Sequence, residues 1–222
     1  MPDPAASRSQ DQVATSGFID WLGRTHPHMR KAERTRTALL VSGASILLST
    51  PPDRLTVSAI CKQAGVAHGT FYLHFADRNA LIGEVLRALA DYLQANMRAA
   101  ARADGDAIRN TTAAYMRLFE ENAGLMNCLI VGGDNIPQAR QVFQELNREW
   151  IVTVVRAARR DTGAAMRPEP DLMRRAYALG GMVDQYLTAL LLTRDPSIAE
   201  LSQDRERVLE MFTDLWRKGM AP

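Results

Sequence analysis

The run TVSAICKQAGVAHGTFYLHFADRNALI, residues 56–82, limits the possible folds more than any other stretch of the chain. Ile60 and Ala64 repeat at the i, i+4 spacing of a short helix, Thr56 to Ala64. Phe71 and Phe75 repeat that spacing in a second, His68 to Phe75. Gly65 between them supplies the left-handed conformation in which helices often end, and Val66 plugs the angle between the two. With Phe71 and Phe75 turned into the core, Ala67, His68, Gly69, Thr70, Tyr72 and His74 remain near the outer face. Such a face is small, polar and of a size to enter a DNA major groove.

Helical periodicity also governs the rest of the chain, and no segment shows convincing strand alternation. Leu40, Ala44 and Leu47 mark a helix that ends before Pro51 and Pro52. Asp77 caps a long helix striped by Ile82, Val85, Leu89, Tyr92 and Asn96. A fifth helix runs from Ala107 to Asn122, a short sixth stops at Gly132 and Gly133, and Pro137 opens a seventh. Asp171 to Thr193 and about Ser202 to Met220 complete the set. The expectation is an all-α chain of about nine helices. A flexible extension, 1–29, precedes a helix-turn-helix domain, 30–78, and a helical domain, 79–222. Within the extension, Ser16 is placed as the cap of a short helix bearing Phe18, Ile19 and Leu22.

Of the 222 residues, 46% are hydrophobic, enough to bury a core. The net charge of +2 hides an asymmetry. Between Arg30 and Arg78 there are seven Lys/Arg against three Asp/Glu; between Asp195 and Asp214, two Arg against six Asp/Glu. A basic front and an acidic rear predict a polyanionic partner for the front alone. The two cysteines, Cys61 and Cys128, form neither a disulfide framework nor a zinc spacing, and Cys61 reads as a small core residue. His26 and His28 flank a proline without supporting ligands, a weak metal signal. No signal peptide or apolar span is present, so a cytoplasmic protein is expected. All four histidines lie at or before residue 74, so the rest of the chain has no base for a nucleophilic triad. No enzyme, metal or cofactor is expected.

The run at 56–82 resembles the TetR family of transcriptional regulators. The matching residues are Thr56, Ala64-Gly65-Val66, Gly69-Thr70-Phe71-Tyr72, His74-Phe75 and Arg78. The resemblance is close over about residues 30–90. It implies that Thr56, Tyr72, His74 and Arg78 contact phosphates, Arg78 from the positive end of the following helix. Gly69 and Thr70 then approach the groove, and Ala67 and His68 meet base edges or a thymine methyl. Two positions depart from the family. Ala67 stands where a hydroxyl side chain usually caps the recognition helix, a loss of about 1 kcal/mol. Arg78 stands where lysine is commoner.

The later helices carry methionines and aromatics with a few polar groups, which suits an adaptable apolar pocket and equally a plain core. The resemblance favours the pocket, with Tyr115, Phe119, Met126, Leu129, Trp150, Tyr177 and Asp184 as its candidate residues. It also implies that the last two helices pair with their copies in a homodimer. Leu179, Val183, Leu187, Leu190, Phe212 and Trp216 are the candidate interface. A dimer spans successive major grooves about 34 Å apart on a near-palindromic operator. The expected function is a DNA-binding regulator, a repressor released by a small apolar or amphipathic effector. The alternative is a regulator with no small-molecule effector.

Overall fold

The computed structural model describes residues 17–24, 30–132, 136–162 and 167–221, and every regular element among them is a helix. In chain order these are α1 (Phe18–Leu22), α2 (Lys31–Leu47), α3 (Val57–Ala64), α4 (His68–Phe71), α5 (Arg78–Arg102) and α6 (Ala107–Glu121). They continue as α7 (Ala123–Ile130), α8 (Pro137–Thr162), α9 (Glu169–Leu187), α10 (Pro196–Leu201) and α11 (Arg205–Met220). The all-α expectation is met. Ser16, His26, His28 and Gly133 lie outside the described residues; Gly17 holds the N-cap position of α1 without a side-chain bond.

The chain divides into two compact units. The first is Met1–Asn96 with Glu121–Phe143; the second is Met97–Glu120 with Gln144–Pro222. In the first unit, Leu39, Leu47, Ile60, Phe71 and Leu81 are fully buried, drawn from α2, α3, α4 and α5. Gly43 lets the Leu81 side chain pack directly on α2: a Cβ at that position would stand 2.5 Å from Leu81 Cδ2 and push that side chain aside. Gly124 plays the same part in α7, where a Cβ would lie 2.3 Å from the Leu48 carbonyl oxygen. On the other side, α1 lays Phe18 against Tyr92, ring centroids 5.5 Å apart. Arg36 on α2 sits over the Phe75 ring at 4.7 Å and forms an ion pair with Glu84.

In the second unit, Ile151, Val155, Leu172, Ala176 and Met220 form one apolar cluster from α8, α9 and α11. Ion pairs join α6 and Asp106, the residue before it, to α11: Arg109 with Glu206, Arg217 with Asp106, and Arg205 with Glu120. They lie near the surface, so each contributes less than about 1 kcal/mol and they set register more than stability. The expected helix Asp171–Thr193 proves to be α9 followed by one π turn, Thr188–Leu192, closed by Thr193 N–H donating to the Thr188 carbonyl at 3.0 Å.

Candidate nucleic-acid interface and internal cavity

The helix-turn-helix of the first unit is built by end-capping on one side and burial on the other. Thr56 caps α3, its Oγ1 accepting the Ala59 N–H at 3.1 Å. That bond uses the oxygen and leaves the hydroxyl proton for an external acceptor. At the other end Gly65 adopts φ 67°, and two bonds close the helix: Gly65 N–H to Lys62 O at 3.3 Å and Val66 N–H to Cys61 O at 3.0 Å. This is the glycine-terminated Schellman arrangement. It releases the chain directly into α4.

Helix α4 is only four residues long, shorter than the expected His68–Phe75. Beyond Phe71 the chain continues in tight turns, with His74 and Phe75 both donating to the Phe71 carbonyl. Ala67 is the N-cap and provides no side-chain bond. Burial of Phe71 and Phe75 therefore holds the segment. Ala67, His68 and Gly69 are exposed, Thr70 and His74 half-buried, and Tyr72 is 54% exposed. A Cβ at Gly69 would meet nothing within 4 Å, so the backbone there is open to close approach. Tyr72 packs its ring 5.6 Å from that of His68.

Arg78 opens α5, behind Asp77, whose Oδ1 accepts the Ala80 N–H. One Arg78 guanidinium nitrogen donates to the carbonyls of Asp53 at 3.1 Å and Leu55 at 2.8 Å. The residue thus ties the turn before α3 to the start of α5 and presents its remaining donors from a fixed position. Leu73, which the sequence reading passed over, is 82% exposed beside Tyr72. Its signal was available: it lies opposite the inward Phe71–Phe75 pair.

The second unit contains a cavity of about 230 Å³. Its wall takes Met97 and Ala101 from α5; Ile108, Thr111, Thr112 and Tyr115 from α6; and Asn147, Trp150, Thr153 and Val154 from α8. Ala107 of α6, Leu146, Ala157 and Ala158 of α8, Gly180, Val183 and Asp184 of α9, and Trp216 and Met220 of α11 complete it. Tyr115 Oη donates to Asp184 Oδ1 at 2.5 Å. Burial pushes the Asp184 carboxyl up to about 6, opposed by that hydrogen bond, and burial with the nearby carboxylate pushes the Tyr115 phenol well above its ordinary 10. Thr112 and Thr153 donate to carbonyls of their own helices, Ile108 and Glu149.

Residues 39–85, which contain the whole helix-turn-helix, match the model of the bacterial regulatory proteins of the tetR family. That segment is of the TetR type. The chain is similar, at 25% identity over 186 residues, to the HTH-type transcriptional regulator EthR of Mycobacterium tuberculosis (strain CDC 1551 / Oshkosh), covering 81% of this chain and 83% of that one. Among solved structures, a transcriptional regulator from Rhodococcus sp. Rha1 aligns at a TM-score of 0.65 with 19% identity, covering 84% of this chain and 99% of that one. The fatty acid degradation regulator FadR from Bacillus halodurans aligns at 0.63 with 12% identity, covering 87% and 96%. Residues 39–85 are thus a helix-turn-helix of the tetR type, the DNA-binding module of bacterial regulatory proteins.

Of the candidate pocket residues, the structure places Tyr115, Trp150 and Asp184 in the cavity wall. Phe119, Met126, Leu129 and Tyr177 are not in it. Met126 and Leu129 belong to the first unit, where α7 buries both against the core; Phe119 is buried and Tyr177 is exposed. Among the candidate interface residues, Val183, Leu187 and Phe212 are buried within their own protomer, and a side chain enclosed in this way has no surface left for a partner. Trp216 lines the cavity, while Leu179 and Leu190 are half-buried. The exposed apolar side chains of α9 and α11 are instead Tyr177, Met211 and Leu215. Both cysteines are buried and burial raises both thiols, Cys128 to about 11, as suits core residues. Among the described residues no group of three His, Cys, Asp or Glu is placed to hold a metal ion, and no helix is long and apolar enough to cross a membrane.

Proposed function

We propose that this TetR-family regulator is a homodimeric, cytoplasmic repressor that leaves its operator when a small molecule occupies the cavity of the second unit. One observation carries the reading. Helix α5 is continuous from Arg78, which is hydrogen-bonded beside the DNA-reading turn, to Met97 and Ala101, which line the cavity. A ligand that favours one position of the C-terminal part of α5 acts through that helix on the segment that positions α4. Release then follows from the ligand's differential affinity for the two states.

In this reading residues 30–78 form the DNA-binding head and 79–222 the regulatory body, with no catalytic role. Thr56, Tyr72, His74 and Arg78 take phosphates, which position the head; Gly69 and Thr70 approach the groove; Ala67 and His68 meet base edges, which select the sequence. The dimer seam runs along the exposed face of α9 and α11, through Tyr177, Met211 and Leu215. Gly181, where a Cβ would meet nothing within 4 Å, adds a flat point for close helix approach. The test begins with duplexes selected from a random-sequence pool by the full chain. Near-palindromic winners, released when small apolar or amphipathic compounds are added, are expected. Tight binding that no compound in a broad panel alters would overturn the release step.

A further inference from the structure

The cavity wall has a charge pattern that narrows what can enter it. Among the wall residues Asp184 is the one carboxylate, and no Lys, Arg or His is present. Asp184 is only 9% exposed, and Tyr115 supplies the hydrogen bond it receives. A carboxylate offers about four lone-pair sites, so one phenol leaves most of its accepting capacity unused. The other polar wall groups do not compensate. The Thr112 and Thr153 hydroxyls donate back to their own helices, which leaves Thr111, the Asn147 amide and the indole N–H groups of Trp150 and Trp216, all neutral. An anionic guest would meet Asp184 with no cation in the wall to balance it. A cationic guest would supply the missing donor and the missing charge together, in surroundings where such a pair is strong.

The rest of the wall describes the remainder of the guest. Trp150 and Trp216 offer aromatic faces, which accept both rings and the flank of a cation. Ile108, Val154 and Met220 are aliphatic or thioether surface. The volume of about 230 Å³ lies below the roughly 300–1,000 Å³ usual for ligand pockets, so the guest is compact.

We propose that the cavity takes a small lipophilic amine: one protonated amino group donating to the free carboxylate oxygen of Asp184, and a single-ring or short aliphatic body lying against Trp150 and Trp216. The proposal rests on the effector-cavity reading above and narrows it to a ligand class. Asp184, at about 6, is mostly ionised at neutral pH and available to a cation. Tyr115 and Asp184 are the titratable groups of the wall; α5, α8 and α11 bring none to it.

The experiment is calorimetric titration of the full chain at pH 7.5 with three probes that differ only in the head group: 4-phenylbutylamine, 4-phenylbutanol and 4-phenylbutyrate. The amine is expected to bind at least about ten-fold more tightly than the alcohol, and the carboxylate to give no measurable binding. In Asp184→Asn the amine and the alcohol should come within about two-fold of each other. Gly180→Leu gives a second variant. A Cβ at Gly180 meets nothing within 4 Å, so the leucine fills the cavity without backbone strain, and amine binding should disappear. At pH 5 the wild-type preference for the amine should shrink as Asp184 takes up a proton. Equal affinity for amine and alcohol in the wild type, preference for the carboxylate, no binding by any probe, or an amine preference that survives Asp184→Asn would each overturn the proposal. Affinity for a duplex selected by the protein is measured in the same samples. Amine binding that leaves this affinity unchanged would sink the release mechanism while the ligand class stands.

Discussion

Tyr115 and Asp184, 69 positions apart in sequence, meet in a 2.5 Å hydrogen bond that joins α6 to α9 at the cavity wall. A carboxylate held against an apolar wall by one phenol is a costly group to keep charged. Its presence there gives the second unit both a chemical preference and a pH dependence.

The pH dependence follows from the direction of the shift. Asp184 ionises at about 6 in the folded chain against an ordinary 3.8. A carboxyl raised in this way adds stability below pH 4, and that contribution is lost as pH rises through about 6. The loss is roughly 3 kcal/mol. Urea unfolding at closely spaced pH values should show stability falling across this window, and Asp184→Asn should flatten that part of the profile. An unchanged profile in the variant would place the titration elsewhere.

Tyr72 and Arg78 are expected to differ in a way that separates reading from scaffolding. Tyr72 is 54% exposed, so Tyr72→Ala should alter stability by no more than about 0.5 kcal/mol while weakening DNA binding at every sequence and leaving its salt dependence unchanged, because the phenol carries no charge. Arg78 also holds two backbone carbonyls, so Arg78→Ala should weaken DNA binding and lower stability by about 1–2 kcal/mol. Thermal unfolding alongside fluorescence anisotropy distinguishes the two. Full DNA affinity in both variants would remove the reading role from this segment.

Ala67→Ser restores the cap that α4 lacks. Stability should rise by about 1 kcal/mol, read from the urea midpoint. No change would mean that the start of α4 lacks the geometry a capping hydroxyl needs.

Phe212 and Leu215 lie on one helix and should report different things. Phe212→Ala empties a fully buried site and should destabilise the chain by about 3–5 kcal/mol. Leu215→Arg, at an exposed position, should leave the protomer folded and shift sedimentation towards the monomer. A dimer that survives Leu215→Arg together with Tyr177→Arg would move the interface off this face.

Much of this was readable from residue order. Gly65 announced the helix end, Phe71 and Phe75 the inward face of the reading segment, and Pro137 the start of α8, because each depends on local geometry. The helical repeats Ile108, Thr112 and Tyr115 on α6 and Trp150 and Val154 on α8 likewise mark one face of each helix. A stripe records which way a side chain faces, not whether the helices opposite fill the space. The hollow exists because small residues such as Thr111, Ala157, Ala158 and Gly180 come together from separate helices, a sum no single helix reveals. The same limit explains the interface. Val183, Leu187 and Phe212 looked like surplus apolar residues, yet their own protomer encloses them. Met126 and Leu129 have the composition of a pocket wall, yet α7 buries both in the core of the first unit.

The reading helix divides its labour within four residues. Phe71 secures it to the core, while Ala67, His68 and Gly69 touch little of the protein that carries them. If positions 67–69 select the operator as proposed, folding and sequence preference rest on different residues of one four-residue helix and its N-cap. In a duplicated copy of the gene, positions 67–69 could drift to a new operator without the chain losing its shape, and a new regulatory branch would begin from a handful of point mutations.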